Sequence, residues 1–132
     1  MLAETILVVD DEPVNLELVR ILLTLEGYDI RLATDAMEAL AVLRTCRPRL
    51  ILIDLQMPGM DGLELTRRLK SDPAHRHAVV IALTASAMKG DEQRALAAGC
   101  DGYIAKPLEP STFPSTVAHY LDASHARSNP AE

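Results

Sequence analysis

The sequence predicts an α/β fold, a three-layer sandwich with a parallel sheet between two layers of helices. Two observations predict it. Short β-rich runs, "TILVV", "DIRLA", "LILI", "VVIAL" and "GYIA", alternate along the chain with longer stretches of helical period. Three of these runs are apolar almost throughout, as strands covered on both faces must be. Five strands alternating with five helices close into such a sandwich through right-handed crossovers.

Each element has its own local signal. After "TILVV" comes "PVNLELVRILLTLEG", where Val14, Leu18, Ile21, Leu22 and Leu25 repeat at helical spacing, with Pro13 suited to the first turn and Gly27 to the stop. "DIRLA" is followed by "DAMEALAVLRT", in which Asp35 is the expected N-cap and Ala36, Ala39, Leu40 and Leu43 share one face. A third helix is expected from about Leu63 to Lys70, after "MPGMDG" at 57–62, a loop rich in turn formers. A fourth is expected from about Ala87 to Ala98, ended by Gly99. The last begins after Pro110 and carries Val117, Ala118 and Leu121 inward.

Composition sets the outer bounds. The 132 residues fit one domain, 1–122 followed by a flexible polar tail at 123–132, and are enough for a core without disulfides. With four aromatic residues and no Trp, that core is mostly aliphatic. A net charge of −6 argues against grip on nucleic acid or on an anionic membrane. No run reaches the length of a membrane span and no leader pattern opens the chain, so a cytoplasmic location is expected. Cys46 and Cys100 lack metal-type or redox-type spacing and read as buried or half-buried thiols.

The chemistry concentrates at the strand ends. In open parallel sheets, ligands bind beyond the carboxyl ends of the strands. "ILVVDDEP" puts Asp10 and Asp11 after the first strand, Asp54 ends the third, Thr84 the fourth, and Lys106 follows the fifth. Taken singly, Asp11 or Asp54 reads equally well as a helix N-cap, Thr84 as a half-buried strand residue and Lys106 as a solvated charge. Their placement at equivalent ends of different strands favours one site. Three close carboxylates repel, and a hard divalent cation with oxygen ligands, Mg²⁺, resolves the repulsion. No His or Cys accompanies them, which disfavours zinc. Asp54 then suits a carboxylate nucleophile towards phosphorus, with Lys106 and Thr84 meeting the oxygens of the transferring group.

Four segments in order, "ILVVDDEP", "LILIDLQMPGMDGLEL", "VVIALTASA" and "GYIAKPL", resemble the receiver domain of two-component response regulators, over about Thr5 to Leu121. The resemblance implies a flavodoxin-like fold with strand order 2-1-3-4-5, an order for which a member of this family is a standard example. It implies Asp54 as phosphoacceptor, Asp11 as a direct Mg²⁺ ligand, Asp10 as a ligand through water, and the Gln56 backbone carbonyl as a further ligand. Thr84 and Lys106 would sense the phosphoryl group and Tyr103 would be the aromatic switch, although the residue alone also reads as an edge-strand aromatic. A cis bond is expected at Lys106 to Pro107. Gln56 and Ser86 flank the site where family members tune hydrolysis. The implied donor is a sensor histidine kinase or a histidine phosphotransfer protein, and the implied output surface is the fourth helix from about Met88 to Leu96, the fifth strand and the fifth helix. Such a domain phosphorylates itself from its donor and loses the group slowly, without being a turnover enzyme.

A competing class is a hydrolase with an aspartyl-phosphate intermediate, of the haloacid-dehalogenase type. That chemistry needs an acid two residues after the nucleophile, where this chain has Gln56, and Glu12 follows Asp10 without the usual neighbours. Other residues carry less. His75 and His77 are expected at the surface, and Arg44, Arg47, Arg49, Arg67 and Arg68 on solvated helix faces. The short polar end leaves no room for an output domain, so output is expected through binding another protein or onward phosphotransfer, and a start methionine only a few residues before the first strand, with a loose polar end, favours a stand-alone protein over a receiver from a hybrid kinase.

Overall fold

The computed structural model describes residues 4–57, 61–84 and 89–128, with 89 and 124–128 described by backbone alone. Ser86, the start of the fourth helix at Ala87 and Met88, residues 58–60 of the turn-rich loop and the last four residues of the tail lie outside the described residues.

The strands are β1 (Thr5–Val9), β2 (Asp29–Ala33), β3 (Leu50–Asp54), β4 (Val79–Thr84) and β5 (Gly102–Ala105). They form one parallel sheet in the order β2-β1-β3-β4-β5, so β1, β3 and β4 are flanked by other strands and β2 and β5 are edges. Every residue of β3 and β4 is buried, which explains why their sequences are apolar on both faces. The edge strands read less apolar because one side of each is partly open.

The helices are α1 (Pro13–Leu25), α2 (Ala36–Leu43), α3 (Gly62–Ser71), α4 (Lys89–Ala98) and α5 (Phe113–Ser128). The two-residue period of the strands sends alternate side chains to opposite layers. Ile6, Val8, Leu52 and Ile81 pack with Leu16, Val19 and Leu23 of α1 and with Phe113, Val117 and Leu121 of α5. Leu7, Val9, Ile51 and Val80 pack with Ala36, Ala39 and Leu43 of α2, Leu65 and Leu69 of α3, and Ala95 of α4. Each fully buried aliphatic side chain contributes about 1.5–3 kcal/mol.

The helix ends follow local chemistry. Asp35 accepts from Glu38 N (2.7 Å) and Asp61 from Glu64 N (2.9 Å), the N-cap bonds that start α2 and α3. Gly27 and Gly99 follow α1 and α4 with φ of 95° and 112°, a conformation that costs glycine little. No helix among the described residues is long and apolar enough to cross a membrane.

Five expectations need correction. On α1, Val14 (74% exposed), Ile21 and Leu25 (78%) stand in solvent, and the core takes Leu16, Val19 and Leu23 instead. Most of α1 is apolar, so two stripes interleave, and only the position of the sheet selects one. His75 is buried rather than at the surface, within the turn whose backbone His75 N ties to Asp72 O at 3.0 Å. Arg49 lies just before β3, not on a helix, half-buried and 3.6 Å from Glu4. Ala118 is only half-buried, and α5 continues to Ser128, into the stretch expected to be tail. Cys46 is half-buried and Cys100 buried, both unpaired thiols.

Candidate functional site

The register of the sheet sets the height of each strand end. Asp54 pairs with Leu83, which places Thr84 one step further along β4, and Thr84 pairs with Ala105, the last residue before Lys106. Lys106 N donates to Thr84 O at 2.7 Å, so the lysine leaves the sheet directly beside the end of β4. Asp10 leaves β1 with its own N–H bonded to Ala33 O at 3.1 Å.

Around this rim the charged groups converge. Asp10, Asp11 and Asp54 each offer a carboxylate oxygen within 4.8 Å of the others. Lys106 Nζ lies 3.2 Å from Asp10 Oδ2 and 3.2 Å from Asp54 Oδ2. The remaining oxygens of the two buried acids are held by backbone: Glu12 N donates to Asp10 Oδ1 (2.9 Å) and Gln56 N to Asp54 Oδ1 (3.0 Å). These backbone bonds hold the oxygens that Lys106 does not face. A cleft of about 500 Å³ opens over them, lined by Asp11, Glu12, Asn15, Asp54, Gln56 and Lys106.

Burial gives Asp54 its character. At 3% exposure, desolvation pushes its carboxyl up to about 6, with Asp10 adding to the rise while the Gln56 N–H and the Lys106 ammonium oppose it. For Lys106, burial works to lower the ammonium's affinity for its proton, but Asp10 and Asp54 outweigh it and the net shift is upward. The lysine is therefore a fixed cation facing two acids.

These residues fit Mg²⁺. The donors are hard carboxylate oxygens, and this is the only group of three or more acids, His or Cys within reach of one ion among the described residues. Asp10 Oδ2 is sealed from solvent and, despite its ion-pair distance to Lys106, has no hydrogen-bond donor in good geometry. A cation, bound directly or through its water, satisfies such an atom.

Thr84 is buried and lines a separate cavity of about 110 Å³ with Gln56, Leu63, Asp91 and Arg94. Tyr103 is not brought into the cleft. It pairs with Ala82, below the rim, and packs half-buried against the α2 to α4 side of the core, where the Glu92 carboxylate beside its hydroxyl raises its pKa. Lys106 to Pro107 is a cis peptide bond, as expected. Sequence reasoning missed Asn15, which the first turn of α1 delivers to the cleft two residues after Pro13. Its signal was faint, a polar residue on the turn that follows an acidic pair. It also missed Gly62, where a Cβ would stand 2.5 Å from Asp54 O, so that glycine lets the start of α3 touch the end of β3.

The sheet order and the acidic rim define a class of protein. The sequence model of the response regulator receiver domain matches residues 6–118, and the chain belongs to that family, the receivers of two-component systems. Among its relatives, the polar-differentiation response regulator DivK of Brucella anthropi is 43% identical over 118 residues, spanning 89% of this chain and 96% of that protein. Among solved structures, a CheY-like receiver domain protein from Methanospirillum hungatei superposes with a TM-score of 0.87 at 29% identity, covering 96% of this chain and 99% of that one. The receiver domain of a sensor histidine kinase from Pseudomonas aeruginosa, solved with magnesium coordinated in its active-site cleft, gives a TM-score of 0.83 at 31% identity, covering 92% and 99%. The match to DivK spans nearly the whole of that protein, and the match to the kinase receiver spans one domain.

Proposed function

We propose that this receiver accepts a phosphoryl group on Asp54 from the phosphohistidine of a sensor histidine kinase or a histidine phosphotransfer protein, and signals by altered protein binding or by passing the group on. The observation that carries it is the Asp54 carboxylate, held by Gln56 N and facing Lys106 at the floor of an open cleft. An Asp54 oxygen attacks phosphorus, the P–N bond to the donor imidazole breaks, and the ring nitrogen regains a proton. Lys106 shifts from its two acids to an oxygen of the transferring group, and the Thr84 hydroxyl meets another. Asp11, Asp54 and the Gln56 carbonyl would hold Mg²⁺ directly and Asp10 through water. Bound there, the ion supplies neutralising charge for the phosphoryl oxygens.

Two surfaces serve partners. The exposed stripe of Val14, Ile21 and Leu25 runs along the helix whose first turn walls the cleft, which suits it to seat the donor. The face of α4, β5 and α5, with Tyr103 as its switch, suits the output partner. Gln56 stands exposed where a hydrolase of the competing class carries its acid, so the acyl phosphate persists.

Acetyl phosphate with Mg²⁺ adds one acid-stable, hydroxylamine-labile phosphoryl group, read by intact mass. Asp54→Asn takes none. Equal incorporation in both proteins would defeat the assignment, and loss of labelling on chelating the metal is expected.

A further inference from the structure

At the opposite edge of the sheet from the carboxylates, the chain carries a second concave surface that phosphoryl chemistry does not use. It is a groove of about 650 Å³ between the ends of α2 and α3. Leu43 and Leu69 are buried beneath it and Leu40 half-buried, while Arg44, Arg47 and Arg68 stand exposed around it. A smaller depression shares Arg47 and His75 with it and adds Arg49 and His77. Among the described residues, Asp72 is the one acid lining either.

This concentration of positive charge is out of keeping with a chain of net charge −6. Acids are plentiful, and Arg20, Arg31, Arg49, Arg67, Arg68 and Arg94 each have one within 4.0 Å. Among the described residues, Arg44, Arg47 and Arg76 have none, and of these Arg44 and Arg47 line the groove. A guanidinium presents five donors in a planar fork that matches a carboxylate, and two such forks left open beside an apolar floor are a recognition surface by their chemistry.

We propose that this groove docks an acidic segment of a protein partner, with carboxylates on Arg44 and Arg47 and an aliphatic side chain on the floor of Leu43 and Leu69. A compact phosphate fits it less well. α2 and α3 both end at this edge, at Leu43 and Ser71, so their negative dipole ends face the groove and no helix N-terminus supplies amide donors. A peptide resolves that conflict by keeping its charges out on the arginines and its apolar side chain over the floor. Because the groove lies at the amino ends of β3 and β4, binding there leaves the phosphoacceptor cleft and the α4, β5 and α5 face open. The surface thus suits a tether that holds a partner whether or not Asp54 is phosphorylated.

The test is an amide NMR titration of the full chain at low salt with the peptide EELEELLEE, and separately with inorganic pyrophosphate. Saturable shifts are expected at residues 43–47 and 68–75, at the same midpoint with the phosphate mimic beryllofluoride as without it; a midpoint that moves severalfold with the mimic overturns the proposed independence from phosphorylation. In Arg44→Glu/Arg47→Glu, and less severely in Arg44→Gln/Arg47→Gln, the midpoint should rise roughly tenfold or more while the amides of the sheet keep their positions. Peptide shifts confined to other surfaces, or a midpoint unchanged by charge reversal, overturn the proposal. Pyrophosphate saturating the same amides at lower concentration than the peptide also overturns it, in favour of a small phosphoanion.

Discussion

Asp54 combines two demands that conflict in the free protein. On the function proposed above, it must be buried to be shielded from water, and it must ionise to attack phosphorus. Its carboxyl titrates near 6 instead of at its ordinary value of 3.8, so between these values the folded state binds more protons than the unfolded state and stability falls as pH rises. Asp54→Asn removes that penalty. In the metal-free protein it should add roughly 1–3 kcal/mol of stability at about pH 7.5, and the gain should vanish below about pH 3, where the acid is largely protonated in both states. Urea unfolding in chelator at the two pH values measures this. A gain that is equal at both, or absent at the higher one, would show that burial of the charge is not what shifts Asp54. Lys106 keeps Asp10 as a partner in the variant, so the substitution does not strand a buried ammonium.

The elements differ in how tightly the site binds them. α3 begins at Gly62 against the backbone of Asp54 and Leu55, so Gly62→Ala drives a methyl group into a carbonyl that has little freedom to move. The variant should lose about 1–3 kcal/mol of stability and label more slowly with acetyl phosphate, because the end of β3 shifts with its carboxylate. α1 offers a contrast within one helix. Leu23→Ala should cost about 2–5 kcal/mol, whereas Leu25→Lys, only two residues on, should stay within about 0.5 kcal/mol and leave acetyl phosphate labelling unchanged. Thermal unfolding of the pair reads which stripe the core uses. Comparable losses in both would return Leu25 to the interior. Elsewhere a single lysine does similar structural work: Lys70 Nζ meets Ala78 O and Asp101 Oδ2, each at 2.9 Å, and so joins the end of α3 to β4 and to the approach of β5.

For the whole molecule, the question is how a charge at the rim changes a distant face. A phosphoryl group brings roughly two negative charges to Asp54, and Thr84 and Lys106 are joined through the 2.7 Å bond from Lys106 N to Thr84 O. Tyr103 lies on the same strand, half-buried, with Glu92 of α4 beside its hydroxyl. On the proposed function, these contacts would give phosphorylation a route from the cleft into the contact of α4 with β5. A preference of about 1–3 kcal/mol for one of two arrangements is enough to change partner affinity severalfold or more. Hydrogen exchange with the mimic beryllofluoride should alter protection along the described part of α4 to Leu96, in β5 and in α5, and Thr84→Ala should suppress the change. Protection altered only in the loops around the cleft would disprove this switch.

How much of this was legible depended on what each feature needs. Strand identity, helix order and the acidic rim could be read from the sequence because burial on both faces forces apolar runs, and strand ends place polar residues at one edge wherever the sheet is parallel. Asp35 as a cap was equally local, since a cap is a bond between neighbours. The choice between two apolar stripes on α1 was not, because periodicity is satisfied by either and only the sheet beneath decides. Asn15 and Gly62 escaped for a related reason: Asn15 joins a cleft lined by Asp54, Gln56 and Lys106, far from it in the chain, and Gly62 serves a close approach of α3 to the end of β3 that no periodicity announces. The grouping of Arg44 and Arg47 with Arg68 and a buried His75 is likewise tertiary, made where two helices end side by side. The sequence by itself determined the elements and the chemistry of the rim, since these follow from neighbouring residues and from the two-residue period. Only the tertiary structure decided which helix faces stay exposed and which charges go unpaired, since both depend on what distant segments cover.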